Sequence, residues 1–440
     1  MKIVLIGGGS FVFAPTVLED IIVKQRLTGC ELVLVDPNLE AAEAMAAAAR
    51  HIAGELKVAM RTSATSNRRE ALAGAQFVII SASVQGAHRW QIDYDILSAL
   101  GMADQARECG GMGGLMNGFR SITLLMDICR DMEELCPEAW ILDVTNPMPR
   151  VVTAVARYST IRIAGFCNIA YRGAEGYTFL PKLLGRKAAD VSIVSAGLNH
   201  FAWLLQITDN ATGEDLLPGL RAYIEEGSWA EQDEETRREL RIMKRWLEEY
   251  GAIAAGHADH HAEYLPPQRD IHYTTSPPYH GSAEERSRRM EELRQIGAGG
   301  VNWNSLFEHG SWEHPVLLEL ALHSGGELSL DILNVKNEGA IPGLPADRIV
   351  EVPVKVSNRT ILPLAVPALP DKLLELCRAV SDVHELVAEA AVTGSREIAK
   401  LAIDADPAIV NKAVAYTALE QMLEAHADLL PQFNGSKQCF

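Results

Sequence analysis

Two short stretches, MKIVLIGGGS at residues 1–10 and ELVLVD at residues 31–36, decide how this chain folds. The apolar run Lys2–Ile6 breaks into Gly7-Gly8-Gly9-Ser10. A helical pattern follows from about Pro15 to Val23, and the apolar run Glu31–Val35 closes on Asp36. The order is strand, glycine turn, helix, strand, acid. Glycines let a backbone approach a pyrophosphate, and a helix start supplies N–H groups and positive dipole. Asp36 would accept hydrogen bonds from adenosine ribose hydroxyls, which favours NAD over NADP because a 2′-phosphate would meet a negative charge. The third glycine of G-x-G-x-x-G is missing, since Val12 stands there. A bare βαβ unit with no cofactor is therefore the competing reading of the turn.

Outward from this unit, strands alternate with helices. Gln76–Ala82 follows the polar helix-like Asn67–Ala73. Trp140–Val144 follows an amphipathic pattern from about Leu115 to Leu135, and Ile161–Phe166 follows one from about Met148 to Tyr158. This alternation predicts an α/β fold, a Rossmann-type doubly wound parallel sheet. Residues 1–190 are expected to form an NAD-binding domain and residues 191–440 a second, α+β domain for substrate and metal, with a C-terminal part like that of lactate and malate dehydrogenases. Ligands sit outside the carboxyl ends of such strands. Those ends carry Ser81–Gly86, Thr145-Asn146-Pro147 and Cys167-Asn168.

The run Glu108-Cys109-Gly110-Gly111-Met112-Gly113-Gly114 reads either as a backbone pressed close to a ligand or as a flexible connector. Ala230–Tyr250 is a charged amphipathic helix whose charges are expected on a solvated face. After it, His257-Ala258-Asp259-His260-His261-Ala262-Glu263-Tyr264 is too dense in titratable groups to be ordinary. Residues 325–353 read as strands and turns, and about 370–432 as helices.

Composition narrows the partners. The 440 residues carry 58 acidic and 40 basic side chains, a net charge of −18, which repels phosphate backbones and argues against nucleic acid. No stretch of about 18 apolar residues is present, so no membrane span is expected. Seven widely spaced cysteines without a C-x-x-C fit reduced thiols in the cytoplasm better than a disulfide framework.

Cys167 ends one strand and His200, in GLNHFAW at 197–203, follows another. A thiolate and an imidazole can hold a first-row divalent cation with water and substrate oxygens filling the remaining positions. A buried thiol beside a satisfied histidine is the alternative.

Taken in order, these motifs resemble glycoside hydrolase family four, the NAD- and metal-dependent glycosidases. The likeness rests on MKIVLIGGGS, RREALAGAQFVI at 68–79, the GMGG loop followed by Arg120, DMEELCPEAW at 131–140, TNP at 145–147, GFCN at 165–168, GLNHFAW and GAIPGLP at 339–345. It implies a divalent metal, usually Mn²⁺, on Cys167 and His200. It implies NAD on Gly7, Gly9, Ser10, Phe11 and Asp36, with Asn146 at the cofactor and the sugar. Glu108 would raise the basicity of a neighbouring base. The implied chemistry is hydride abstraction at sugar C3, loss of the C2 proton, elimination of the C1 leaving group, then addition of water and return of the hydride. The family is an exception to two-carboxylate hydrolysis.

Two departures bear on the substrate. Relatives acting on 6-phosphorylated sugars place an arginine near position 90, where Trp90 stands beside Arg89, and carry a tyrosine base in the segment matching Ala255–His260, where this chain has none before Tyr264. GHADHHAEYLP instead resembles the α-galactosidase and α-galacturonidase branch, although Asn168 replaces that branch's usual histidine. An unphosphorylated glycoside or uronide is expected, with a 6-phospho-glycoside as the alternative. His260 is the first choice of base or extra site ligand and Tyr264 the second; Asn168 and Asn199, with Asn146, are expected at the sugar. The competing functions are an NAD-dependent hydroxy-acid dehydrogenase and a non-catalytic NAD-binding protein. A homodimer or homotetramer is expected from the apolar C-terminal helices.

Overall fold

The computed structural model describes residues 1–167, 176–273, 283–308 and 315–434. Strands β1 (Lys2–Ile6), β2 (Glu31–Val35), β3 (Arg61–Thr65), β4 (Phe77–Ile80), β5 (Trp140–Asp143) and β6 (Arg162–Gly165) pair in parallel in the order β3-β2-β1-β4-β5-β6. That is the doubly wound order predicted from the alternation, with its switch point between β1 and β4. Side chains on β1 alternate between two cores: Ile3 and Leu5 enter one, Val4 and Ile6 the other. Burial on both faces explains why the strand reads as an unbroken apolar run rather than an alternating one.

The sheet does not end at β6. After β7 (Val191–Leu198), β8 (Phe201–Asp209) and β9 (Ile253–Ala254), strands β10 (Leu328–Lys336), β11 (Ile349–Ser357) and β12 (Thr360–Pro363) complete it. The path continues β6-β10-β11-β7-β8-β9, all antiparallel, with β12 on β11. The join is the pairing of Asn334 with Gly165. One sheet therefore carries both halves of the chain, and the carboxyl end of β6 lies beside the tight turn between β7 and β8.

Several elements begin elsewhere than the periodicity placed them. The helix expected from about Leu115 starts at Gly111 and runs to Leu135. Its glycines are needed for space: a Cβ at Gly113 would lie 2.4 Å from the Arg107 carbonyl oxygen, and one at Gly114 would lie 2.2 Å from the Cys109 carbonyl carbon. The connector reading of this run is corrected accordingly. The charged helix spans Glu234–Tyr250, because Asp233 caps it by accepting from Thr236 N at 2.7 Å. Its face is not wholly solvated as expected. Arg238 and Glu239 are buried, and they are used to hold the segment that follows. Arg238 donates to both oxygens of Asp259 at 2.8 and 3.0 Å, and Glu239 accepts from Ala258 N at 3.0 Å. The C-terminal helices Asp371–Thr393, Arg396–Ala405 and Lys412–Ala425 cover the core that also contains Val4 and Val78.

Candidate functional site

The glycine turn is fixed by backbone geometry. Gly7 has φ +90°, and a Cβ there would fall 1.9 Å from the Ser81 carbonyl oxygen at the end of β4. Gly7 N and Gly8 N both donate to Val35 O, at 2.9 and 3.0 Å. Gly9 N donates to Asp36 Oδ2 at 3.0 Å, while Asp36 Oδ1 accepts from Asn38 N at 2.8 Å. Asp36 thus ties the turn to the tip of β2. Ser10 Oγ accepts from Val12 N and Phe13 N at 3.3 Å each, starting the helix, and Phe11 is half-buried beside it. This close-packed turn, ending at a helix start with an acid beside it, suits a dinucleotide phosphate and ribose.

Around the carboxyl ends of β5 and β6, four segments meet. Cys167 Sγ lies 3.3 Å from His200 Nε2. His200 occupies the tight β7–β8 turn at φ +61°, a conformation that a bulky residue adopts only under constraint from its surroundings. Two donors on one cation at about 2.0 and 2.3 Å stand about 3–3.5 Å apart for bond angles between square and tetrahedral. The thiol–imidazole pair therefore fits a first-row divalent metal. Asn146, at the end of β5, donates from Nδ2 to Glu108 Oε1 at 3.3 Å, which joins the residue expected at the sugar to the acid expected beside a base.

The fourth segment is the short helical turn 258–264. His260 sits edge-on to His200, with ring centroids 5.0 Å apart, and its Nδ1 lies 3.7 Å from Glu263 Oε1. Glu263 accepts through Oε2 from Cys109 N at 2.7 Å and Gly110 N at 3.2 Å. Burial pushes its carboxyl up, but His260, His200 and the Cys109 N–H outweigh that and hold it below the ordinary carboxylate value. Cys109 is fully buried, which pushes its thiol well above the ordinary value, with the nearby Glu263 and Glu108 charges acting in the same direction.

Not every expected residue faces the site. Asn199 is fully buried, and its amide donates to Glu351 Oε2 at 2.8 Å, which Asn334 also contacts at 3.2 Å. It therefore braces the turn that carries His200, and the expectation of a sugar contact is corrected. The reason is geometric: next-door residues in a two-residue turn project differently. Tyr264 is 2% exposed, and its hydroxyl, on a ring packed against Phe201 and His384, has no hydrogen-bond partner among the described residues. Burial pushes its phenol well above the ordinary value. Asn168 lies outside the described residues.

Cys109, Glu263 and Arg107 were not singled out in the sequence. Cys109 was hidden by the glycines around it and Glu263 by the histidines before it. Arg107 donates through Nη1 to the carbonyls of Ala262, Glu263 and Leu265 at 3.0, 2.7 and 3.0 Å, clamping the two segments together. No local pattern announces a clamp made across 155 residues of chain.

Residues 2–177 match the model of the family 4 glycosyl hydrolases, and residues 195–409 match the model of that family's C-terminal domain. The chain belongs to glycosyl hydrolase family 4. The family 4 enzyme described here is 28% identical to an alpha-galactosidase of Bacillus subtilis strain 168 over 98% of this chain and 99% of that one. It is 27% identical to an alpha-galacturonidase of the same organism, over 96% and 97%. A crystal structure of a 6-phospho-alpha-glucosidase from gut microorganisms, in complex with NAD and Mn²⁺, superposes with a TM-score of 0.78 at 23% identity, covering 98% of this chain and 99% of that one. This family 4 chain is thus a glycosidase, and none of its helices in the described residues is long and apolar enough to cross a membrane.

Proposed function

We propose that this family 4 glycosidase hydrolyses an unphosphorylated α-glycoside or uronide, of the α-galactoside or α-galacturonide type. The observation that carries the chemistry is the 3.3 Å approach of Cys167 Sγ to His200 Nε2 beside the Asn146–Glu108 pair. The absence of a phosphate is supported by Arg89, the arginine nearest the position that would bind one. It is 7% exposed, and both its Nη atoms are engaged by Asp428, at 3.0 and 2.5 Å. Trp90 is buried too, donating to Ala106 O at 3.0 Å.

When bound, NAD and a divalent cation such as Mn²⁺ would supply reversible oxidation at sugar C3 and polarisation of the resulting ketone, which acidifies the C2 hydrogen. The protein's own groups then have defined tasks. The glycine turn with Gly7, Gly9, Ser10 and Phe11 receives the nucleotide, and Asp36 the adenosine ribose. Cys167 and His200 hold the cation. Asn146, placed by Glu108, orients the sugar at the carboxyl end of β5, and Asn168 is assigned a further sugar hydroxyl. His260 has Nδ1 toward Glu263, which leaves Nε2 to take the C2 proton. Tyr264 is the reserve base. Its burial demands that the 258–264 turn open before it can act.

In this reading residues 1–190 carry the nucleotide and residues 191–440 most of the sugar contacts, with the metal pair straddling the two. No disulfide joins the six described cysteines, which supports a reducing cytoplasm, and we place the enzyme there as a homodimer or homotetramer.

The test is a panel of aryl α-galactosides, α-galacturonides and their 6-phosphates in heavy water with NAD, Mn²⁺ and reductant. The expected result is free unphosphorylated sugar, deuterium at C2 and no accumulating NADH. NADH formed in step with product would identify a dehydrogenase instead, and turnover confined to 6-phosphates would reverse the substrate assignment.

A further inference from the structure

A single row of paired residues crosses the seam of the sheet. Gly165 on β6 pairs with Asn334 on β10, Asn334 pairs with Glu351 on β11, and Glu351 pairs with Gly197 on β7. Cys167 lies two residues beyond one end of this row, and His200 three residues beyond the other. Neighbouring strands stand about 4.8 Å apart, so three steps separate the two ends by roughly 14 Å. Cys167 Sγ and His200 Nε2 nevertheless approach to 3.3 Å. Both segments must therefore turn toward each other after leaving the row, and something in the row must set how far they turn.

The side chains in the middle of the row are polar and buried. Asn334 and Glu351 are cross-strand neighbours, 0% and 1% exposed. Glu351 Oε2 accepts from Asn334 Nδ2 at 3.2 Å and from Asn199 Nδ2 at 2.8 Å. Asn334 Nδ2 also reaches the Gly165 carbonyl oxygen at 3.4 Å. One carboxylate oxygen thus links the strand that leads to Cys167 with the turn that carries His200. Gly165 closes the seam, since a Cβ there would lie 2.4 Å from Met148 Sδ and 3.0 Å from Asn334 Cβ. Stability does not explain this arrangement. Glu351 Oε1 and both amide oxygens have no partner among the described residues, a cost that an all-apolar cluster of the same shape would avoid. What hydrogen bonds to a shared oxygen add is direction, which apolar packing lacks.

We propose that Glu351 is a positioning residue that sets the separation and aim of Cys167 and His200, acting through Asn334 on one side and Asn199 on the other. It touches neither of the two ligands. The proposal rests on the Cys167–His200 metal pair proposed above and says what holds that pair at ligand distance. Cation binding then depends on the group at position 351, while nucleotide binding at the glycine turn between β1 and β2, several strands away, does not.

Cobalt supplies a readout that does not depend on turnover. Full-length protein, stripped with chelator under reducing conditions and supplied with NAD, is titrated with Co²⁺ while the near-ultraviolet sulfur-to-cobalt charge-transfer band is followed. Wild type is expected to show the band and Cys167→Ser to lose it. Glu351→Leu fills the space without an acceptor, so its midpoint should move at least about tenfold to higher Co²⁺ while NAD affinity stays within about twofold. Glu351→Gln keeps an acceptor oxygen for both amides and should stay within about threefold of wild type. Val354→Ala, in the buried core of the same strand, should lower the melting temperature and leave the midpoint unchanged. A folded Glu351→Leu protein with the wild-type midpoint would overturn the positioning role. So would a Glu351→Gln midpoint displaced as far as that of the leucine variant, or an equal displacement in Val354→Ala, which would show that any weakening of the sheet suffices. Should Glu351→Leu fail to fold, Asn334→Ala decides: a displacement of about threefold or more supports the link, and a wild-type midpoint overturns it. Absence of the sulfur band in wild type would instead overturn the metal pair, and the proposal with it.

Discussion

Glu319 offers a direct measurement of what burial does to a carboxyl in this fold. It lies in the helix Pro315–Ser324, is fully buried, and neither of its carboxylate oxygens has a hydrogen-bond partner among the described residues. Burial pushes it from an ordinary value of 4.5 up to about 8, with the Asp20 charge adding to the effect. Between those values the folded protein keeps a proton that the unfolded chain releases. Stability therefore falls as pH rises from about 4.5 to about 8 and levels off above that. At 1.36 kcal/mol per unit the full loss is about 5 kcal/mol, an upper bound because water entry and local relaxation soften it. Glu319→Gln removes the titration. Its amide lacks partners too, but that cost of about 1–3 kcal/mol does not vary with pH. Urea denaturation of wild type and variant should show the stability gap shifting toward the variant by up to about 3.5 kcal/mol between pH 5 and pH 8. Asp143 and Glu351, whose carboxyls burial also raises, to about 8 and about 7, are present in both proteins and cancel. A gap that stays constant over this window, or narrows as pH rises, would refute the reasoning.

Three further outcomes follow from the site. Cys167→Ser should lower metal-dependent turnover at least about 100-fold while NAD binding, followed by protein fluorescence, stays within about twofold; full activity would remove Cys167 from the metal. Asp36→Ala strips the acceptor from Gly9 N and the ribose partner together, so NAD affinity should drop about tenfold with a smaller loss for NADP; equal losses for both nucleotides would show that Asp36 serves the turn alone. Gly110→Ala places a methyl against a backbone oxygen that no side-chain rotation can move aside, so it should cost about 2 kcal/mol or more in thermal unfolding and depress turnover more than tenfold; a wild-type melting curve would contradict the packing at Glu263.

How much of this was legible depends on the range of the interactions involved. The βαβ unit could be read because its signals are local. Ile3–Ile6 is apolar throughout since both faces are buried, three glycines turn the chain, and Asp36 ends the next strand. The parallel order followed from strand–helix alternation in the same way. Where contacts join distant segments, local patterns fell silent. Within the sheet the two halves join at the pairing of Asn334 with Gly165, and nothing in either neighbourhood marks it. Arg238 and Glu239 sit in a helix whose composition reads as solvent-facing, yet they are buried because Asp259 and Ala258 come to meet them.

The site divides along the same line, and Asn199 and His200 show why. Adjacent in a motif, they were both expected to face the ligand. In the β7–β8 turn, however, His200 takes a left-handed backbone conformation and turns its imidazole to Cys167, while Asn199 turns inward to Glu351. Residue type told that both were polar groups with work to do, and only the turn's geometry could divide the work between cation and scaffold. Cys109 is the converse case. Among glycines it read equally well as part of a flexible run, but at Gly110, Gly113 and Gly114 the backbone of Glu263 or of residues 106–109 occupies the space a side chain would need. A glycine run that arises from crowding is packed rather than flexible, and it holds Cys109 buried with its backbone N–H on the Glu263 carboxylate.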